Sequence, residues 1–255
     1  MVEIKSDAAL DVMREAGRVV AHALAAVREA AGIGVSLREL DEAARAVLDK
    51  AGARSPFLGY QPSFAPTPFP AVICTSVNDA VVHGVPTDYR LRDGDLVSVD
   101  CGAVLDGWAG DAAISFTVGT PRPADLDLID ATRRALDAGI AAAVPGNRVG
   151  DIGHAIGAVA RAARCGMPAD FGGHGIGRTM HEDPHVPNRG RPGRGFPLRH
   201  GLVLAIEPML MAGGNDDYRT GEDGWTLHTT DGSRAAHIEH TVAITDAGPR
   251  ILTLP

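Results

Sequence analysis

Two short segments of this 255-residue chain resemble each other, and each ends on a carboxylate. The first runs from Leu91 to Asp100 and the second from Leu198 to Glu207, and in both a glycine is followed by apolar residues. Each segment predicts a turn and then a buried strand that ends on an acid. A carboxylate beside a Val or Ile run is costly unless a cation or a hydrogen-bond donor compensates it. The two matching ends therefore predict a shared cation.

A hairpin predicted at Asp106 and Gly107 brings a second acid to the first strand. Asp-Gly is a preferred two-residue hairpin loop, and with that loop Gly102 is expected opposite Asp111. Asp100 then shares a face with Asp111 as its diagonal neighbour, roughly 7–8 Å away at the backbone. Two carboxylates can close that separation around a metal ion that lies about 2 Å from each oxygen.

Three more residues extend the predicted ligand set. Glu207 is followed by Pro208, which ends the strand at the acid. Glu239 lies in an apolar segment, Ala236 to Ile244, that predicts one further strand. His174 lies within a run of glycines, whose lack of a side chain lets the backbone approach its neighbours closely.

The number and type of these side chains favour two metal ions. A buried, hydrogen-bonded acid is the ordinary explanation for any single carboxylate, but four acids at or within predicted strands favour metal binding. Five protein ligands are too many for one tetrahedral zinc ion and suit a two-metal site. Oxygen-rich ligation admits manganese, iron or cobalt, and zinc is also compatible. The predicted ligands are Asp100, Asp111, His174, Glu207 and Glu239.

A second motif, from His181 to His185, matches the H-E-x-x-H pattern of zinc proteases. That pattern works on a helix, where both imidazoles fall on one face. Pro184 lies inside the motif and no apolar periodicity surrounds it, so a long helix is not expected there. The zinc-protease interpretation is therefore disfavoured, and His185 is predicted to lie in a loop past Pro184.

Four helices are predicted from apolar residues at three- and four-residue spacing. In each half of the chain two helices precede the strands, which predicts an α/β fold with helices covering a curved sheet. The long-range repeat predicts one domain, residues 1–255, with related halves at approximately 1–120 and 121–255. The predicted helices are Asp7 to Ala31, the segment capped by Ser36 that runs to Lys50, Asp125 to Ala143, and Val149 to Cys165.

Composition excludes several classes of partner. The net charge of −8 provides no basic field for nucleic acid or an anionic membrane. Three cysteines with no C-x-x-C pair indicate neither a disulfide framework nor a thiolate zinc site, and favour a reducing cytoplasm. No signal segment and no apolar run of the roughly 18 residues that a membrane span requires are found, so a cytoplasmic protein is predicted.

Six motifs resemble the type I methionine aminopeptidases in order and spacing, and the similarity covers nearly the whole chain. The resemblance implies the pita-bread fold, a pseudo-twofold α/β (α+β) arrangement in which each half contributes two helices and antiparallel strands around a curved sheet. The motifs are Asn78 to Pro86, Val99-Asp100, Gly110-Asp111, Gly173 to Gly177, Ile206 to Met209, and Ile238 to His240.

The resemblance also implies roles for individual residues. It implies a dinuclear site on the five ligands, with His83 and His181 contacting the substrate. Glu207, at the edge of that site, is the candidate to take the proton of water and pass it to the leaving amine. His83 would lie by the scissile amide nitrogen, and His181 would hydrogen-bond the carbonyl oxygen. Both histidines occupy a repeated His-x-x-Pro position, although a structural histidine is the commoner case for either one alone. Four residues match the family's apolar side-chain pocket, and the aromatic ones are equally compatible with core positions: Tyr60, Phe69, Cys74 and Trp225.

The activity implied by the resemblance is removal of the initiator methionine from new chains when the next residue is small. The implied partners are the N-termini of nascent polypeptides, with the ribosome as a candidate, and a monomer is expected. Two features depart from the family pattern and bear on pocket shape: a longer segment from Pro62 to Pro68, and Met180 where an aromatic is common.

Two alternative functions are considered. The first is a proline-specific aminopeptidase or prolidase of the same fold, but those enzymes carry a large N-terminal domain that this chain lacks. The second is a pita-bread binding protein that has lost its metal, against which the complete ligand set argues.

Overall fold

The computed structural model describes residues 2–255, which contain four helices and thirteen strands. The two helical pairs are separated by strands, as the sequence predicted. In chain order the elements are α1 (Asp7–Ala30), α2 (Leu37–Lys50), β1 (Ile73–Val77), β2 (Ala80–Val82), β3 (Leu96–Leu105), β4 (Trp108–Thr117), α3 (Pro123–Ala142), α4 (Val149–Ala162), β5 (Gly172–Gly175), β6 (Glu182–Pro187), β7 (Val203–Ile206), β8 (Met209–Met211), β9 (Tyr218–Thr220), β10 (Leu227–Thr229), β11 (Ala235–His237), β12 (Glu239–Thr245) and β13 (Gly248–Ile251).

The helices begin and end within three residues of their predicted bounds. The predicted capping box at α2 is present, because the N–H of Ser36 donates to Glu39 Oε2 at 2.8 Å and the N–H of Glu39 donates to Ser36 Oγ at 3.2 Å. None of the helices formed by residues 2–255 is long and apolar enough to cross a membrane.

One eight-stranded sheet carries strands from both halves of the chain. Its order is β1-β3-β4-β12-β7-β5-β6, and the eighth strand, β13, pairs with β12 outside this order. Helices α1 and α2 pack together over β1, β3 and β4, while α3 and α4 pack together and contact β7 and β6. Each helical pair buries its own apolar cluster against the sheet. The middle of the sheet therefore lies where strands of the two halves of the chain meet, between β4 and β12.

The β3–β4 hairpin has the predicted register. Leu105 pairs with Trp108 and Gly102 pairs with Asp111. Asp106 and Gly107 both have positive φ, 50° and 77°, as the favoured two-residue turn requires. The strand pattern and the turn residues were sufficient to predict this element because both are local.

The segment predicted as a single strand from Ala236 to Ile244 is two strands. β11 pairs with β8, whereas β12 pairs with β4 and β7, and Ile238 lies between β11 and β12. No Gly or Pro marks the break in the sequence. The change of partner strand comes from tertiary contacts that this pattern does not record.

Candidate active site

Five neighbouring strands each bring one predicted ligand to the middle of the sheet. The register places these side chains on one face, because Asp100 and Glu239 both lie opposite Ala113, and His174 lies opposite Ala205. In sheet order the ligands are Asp100 on β3, Asp111 on β4, Glu239 at the start of β12, Glu207 directly after β7 and His174 on β5.

A threonine hydroxyl fixes β4 against β12 at this point. Thr241 Oγ1 donates to the Asp111 carbonyl oxygen at 2.7 Å and accepts from the Asp111 N–H at 2.9 Å. The backbone pairing of the two strands covers only two residue pairs, so this contact holds Asp111 in place relative to Glu239.

Two groups of potential ligand atoms are close enough to hold ions. In the first, Asp111, His174 and Glu239 have ligand atoms within 4.8 Å of one another. In the second, Asp100, His237 and Glu239 meet the same distance. Glu207 adjoins both, since its Oε1 lies 3.5 Å from His174 Nε2 and its Oε2 lies 3.5 Å from His237 Nε2. Glu239 is common to the two groups, as a bridging carboxylate would be.

The carboxylates lack the partners that buried acids need. Asp100 Oδ1, Asp111 Oδ1 and Glu239 Oε1 are buried without a hydrogen-bond partner. Burial raises the pKa of Asp111 to about 7. Burial, and then neighbouring negative charge, raises the pKa of the other three acids well above the ordinary value. Four such acids cannot all ionise together without a cation, so this oxygen-rich set with imidazole nitrogen fits divalent metal ions.

His174 presents its unprotonated nitrogen to the carboxylates. Burial, and then the charge of His181, lowers the pKa of His174 to about 3, so the ring is neutral. Its Nδ1 lies 2.9 Å from the Gly175 carbonyl oxygen, an acceptor, so Nδ1 carries the proton and Nε2 keeps its lone pair. A Cβ on Gly173 would overlap the carbonyl oxygen of Ala205, which confirms the predicted close approach of β5.

A cavity of about 310 Å³ opens beside the acids. All four predicted pocket residues line it: Tyr60, Phe69, Cys74 and Trp225. Phe57 and Met180 add to its apolar wall; Met180 was expected to bear on pocket shape, whereas Phe57 was not predicted there. These side chains also form one buried cluster, except for Tyr60, which is more exposed. Phe69 and Trp225 are therefore both pocket residues and core residues.

The proline-rich segment from Gln61 to Pro70 forms one side of the cavity. Its Phe69 ring lies 5.1 Å from that of Trp225, centre to centre, and Trp225 Nε1 donates to the Thr67 carbonyl oxygen at 3.0 Å. Phe64 is 67% exposed and lies at the rim, 6.1 Å from the Trp225 ring. Both predicted departures from the family pattern, this segment and Met180, thus contact the cavity.

His83 and His181 line the same cavity. The His181 ring centre lies 4.4 Å from that of His174, and His181 Nδ1 lies 3.2 Å from the Tyr60 hydroxyl. His83 follows β2 with a φ of 60°, a backbone region that non-glycine residues rarely occupy and that is common at functional sites. Burial, and then the charge of His181, lowers the pKa of His83 to about 4.

The structure corrects the predicted position of His185. This residue does not lie in a loop: it is on β6 and lines the cavity. β6 is the last strand of the sheet, and an edge strand accommodates Pro184 because no ladder bond is lost there. Glu182, the acid of the H-E-x-x-H motif, pairs with Lys5 at 2.8 Å.

His237 is a potential metal ligand that was not predicted from the sequence. It is 2% exposed and lies two residues before Glu239, so the two side chains share a side of the chain. The two-residue spacing from Glu239 was the sequence signal that could have identified His237 as a potential ligand.

Known proteins share the sequence and the fold of this chain. Residues 11–246 match the model of metallopeptidase family M24. A Mycobacterium tuberculosis protein named methionine aminopeptidase 1 is 55% identical over 261 residues, which cover 100% of this chain and 96% of the relative. The solved methionine aminopeptidase of Thermotoga maritima superposes with a TM-score of 0.95 at 39% identity over 100% of both chains.

The prolidase of Pyrococcus furiosus shares the fold alone. It superposes with a TM-score of 0.75 at 22% identity, and the match covers 99% of this chain and 65% of the prolidase. The predicted α/β pita-bread fold is therefore confirmed. The chain belongs to metallopeptidase family M24 and, within it, to the methionine aminopeptidases.

Proposed function

We propose that this site removes methionine from the N-terminus of peptides whose second residue is small, using two divalent metal ions. The observation that carries the proposal is the set of buried carboxylate oxygens without partners, supplied by neighbouring strands beside an apolar cavity. The proposed ligands are Asp100, Asp111, His174, Glu207 and Glu239, with Glu239 shared between the two positions. Divalent ions supply Lewis-acid chemistry, which acidifies water and polarises a carbonyl oxygen.

Glu207 is the proposed proton carrier. Water adds its oxygen to the methionyl carbonyl carbon, the peptide C–N bond breaks, and Glu207 passes the water's proton to the leaving amine. Burial, and then the charge of Asp111, raises the pKa of Glu207 in the metal-free site. A positioned carboxyl group of this kind is a usual general acid or base. The N–H of Asn188 Nδ2 donates to the Glu207 carbonyl oxygen at 3.0 Å and fixes the backbone there.

His181 is proposed to donate a hydrogen bond to the carbonyl oxygen as negative charge develops on it. Burial lowers the pKa of His181, so the ring is neutral and donates from one nitrogen only. If the Tyr60 hydroxyl donates to Nδ1 at 3.2 Å, the proton lies on Nε2, the nitrogen left to face the substrate. Tyr60 thereby acts as a positioning residue for His181.

The apolar wall is proposed to bind the methionine side chain. Aromatic rings and the polarisable Met180 and Cys74 sulfurs suit contact with a thioether. His83 is proposed to lie beside the scissile amide nitrogen, where a bulky second residue would meet it.

The proposed substrates are the N-termini of nascent polypeptides in the cytoplasm, with the ribosome as a candidate partner and the protein acting as a single-domain monomer. The free cysteines support a reducing compartment, since Cys74 and Cys101 are buried as thiols.

Peptides that differ at the second residue test the proposal. Met-Ala-Ser and Met-Gly-Ser should be cleaved with a kcat/KM roughly 10²-fold above that of Met-Leu-Ser, because the larger side chain crowds His83. Methionine release is measured for each peptide, with Ala-Pro-Ser as the control for proline specificity. Equal rates across the Met series would contradict the proposal, and faster cleavage of Ala-Pro-Ser would favour the proline-specific alternative.

Metal affinity should rise with pH between about 6 and 8. The raised carboxyl pKa values mean that the metal-free site holds protons near neutral pH, with Asp111 at about 7, and a bound ion must displace them. His174 adds no proton to this count because its pKa is lowered to about 3. Titration calorimetry near pH 6.5 in buffers of different ionisation enthalpy should detect release of about one proton or more. Binding without proton release would show that the acids are already ionised.

A further inference from the structure

His237 lies inside the cluster of acids and makes no hydrogen bond there. Its Nε2 is 3.5 Å from Glu207 Oε2 and 3.6 Å from Glu239 Oε2. The atom is buried and has no hydrogen-bond partner. A buried nitrogen without a partner costs free energy unless another group compensates it. The groups that face this nitrogen are carboxylates of the buried acid cluster.

Hydrogen bonds hold the backbone of His237 in place. The His237 N–H lies 3.2 Å from Ser98 Oγ and 3.0 Å from Ser115 Oγ, and its carbonyl oxygen accepts from Ser115 Oγ at 2.8 Å. β11 also pairs His237 with Met209 of β8. These contacts fix the backbone of His237, and therefore the point from which its side chain enters the acid cluster.

The distances around Nε2 match those between ligands of one ion. Two atoms bound at about 2.0–2.2 Å lie roughly 2.8–3.8 Å apart when the angle at the ion is about 90–120°. Both separations from His237 Nε2 fall in that range, and the ligand atoms of Asp100, His237 and Glu239 all lie within 4.8 Å of one another.

We infer that His237 is a sixth protein ligand, whose Nε2 binds the ion held by Asp100 and Glu239. This inference rests on the proposed metal site. His174 then serves the ion beside Asp111, so each ion has one imidazole ligand. Imidazole favours metals such as iron, nickel and zinc over manganese at an otherwise oxygen-rich position. The second ion position would therefore discriminate more strongly against manganese than carboxylates alone would.

Proton NMR of the cobalt(II)-loaded protein tests this by counting bound imidazoles. Each cobalt-bound histidine contributes one strongly shifted N–H signal that disappears in D₂O. Two such signals are expected in the native protein, one lost in His237→Gln and the other lost in His174→Gln. His200→Gln is the control, because this exposed histidine also pairs with a carboxylate, Asp7, outside the site.

Metal affinity separates ligation from hydrogen bonding. Glutamine can still donate a hydrogen bond to Glu207 or Glu239 but is a poor metal ligand. If His237 is a ligand, His237→Gln should therefore lower the affinity for the ion at its position about as much as His237→Ala does, by at least about 100-fold. That is the upper end of the effect of outer-shell partners. Calorimetry with cobalt and with manganese should show the larger loss for cobalt.

Three results would overturn the inference: one shifted signal in the native protein at two bound ions, both signals retained in His237→Gln, or glutamine restoring the affinity that alanine loses. The native count requires no variant and stands if a substitution prevents folding. Failure of the native protein to bind cobalt would instead refute the proposed metal site itself.

Discussion

Asp111→Asn is expected to lose bound metal and to lower kcat/KM well beyond the ~10–100-fold typical of outer-shell partners. The side chain lies in the middle of the sheet, has a ligand atom within 4.8 Å of those of His174 and Glu239, and has a buried oxygen with no partner in the protein. An amide has nearly the same shape but lacks the charge that neutralises a divalent ion. Bound metal is measured by elemental analysis after dialysis, and kcat/KM with Met-Ala-Ser.

His185→Ala is the matched control for Asp111→Asn. It should keep its metal, because His185 lies on the edge strand and belongs to neither group of ligand atoms. Since His185 lines the cavity, a modest change in KM is expected. The H-E-x-x-H interpretation demands the reverse order, so a metal-free His185→Ala protein beside a metal-replete Asp111→Asn protein would overturn the proposed site.

Glu207→Gln is expected to lower kcat by about 10²–10⁴-fold at saturating metal, the usual contribution of a positioned acid or base. Glutamine fills the same space but cannot take up the water's proton. Because Glu207 also adjoins His174 at 3.5 Å, some loss of metal affinity is expected as well. kcat is therefore measured across a metal titration and read at its plateau.

Glu182→Gln makes the same chemical change at the acid of the H-E-x-x-H motif. Glu182 pairs with the buried Lys5 and accepts from the Thr179 N–H, so its loss should lower Tm and leave kcat of the folded protein nearly unchanged. If Glu182→Gln were inactive while Glu207→Gln turned over normally, the proton carrier would be misassigned.

Much of the local structure could be predicted because its causes are local. The Asp-Gly turn sets the register of β3 and β4, so the shared face of Asp100 and Asp111 follows from the sequence alone. The Ser36 capping box likewise depends only on residues three apart. The identity of the five proposed ligands also came from sequence, through acids at the ends of buried strands and through the family resemblance.

The tertiary structure alone decided how those residues meet. β12 lies between β4 and β7, elements far apart in the chain, and only this order makes Glu239 common to both groups of ligand atoms. His237 enters the site because the chain changes partner strand at Ile238, and His185 reaches the cavity because β6 pairs along β5. Periodicity reports which face of a strand is apolar. It carries no information about which strand lies alongside, since that choice is set by packing between distant segments.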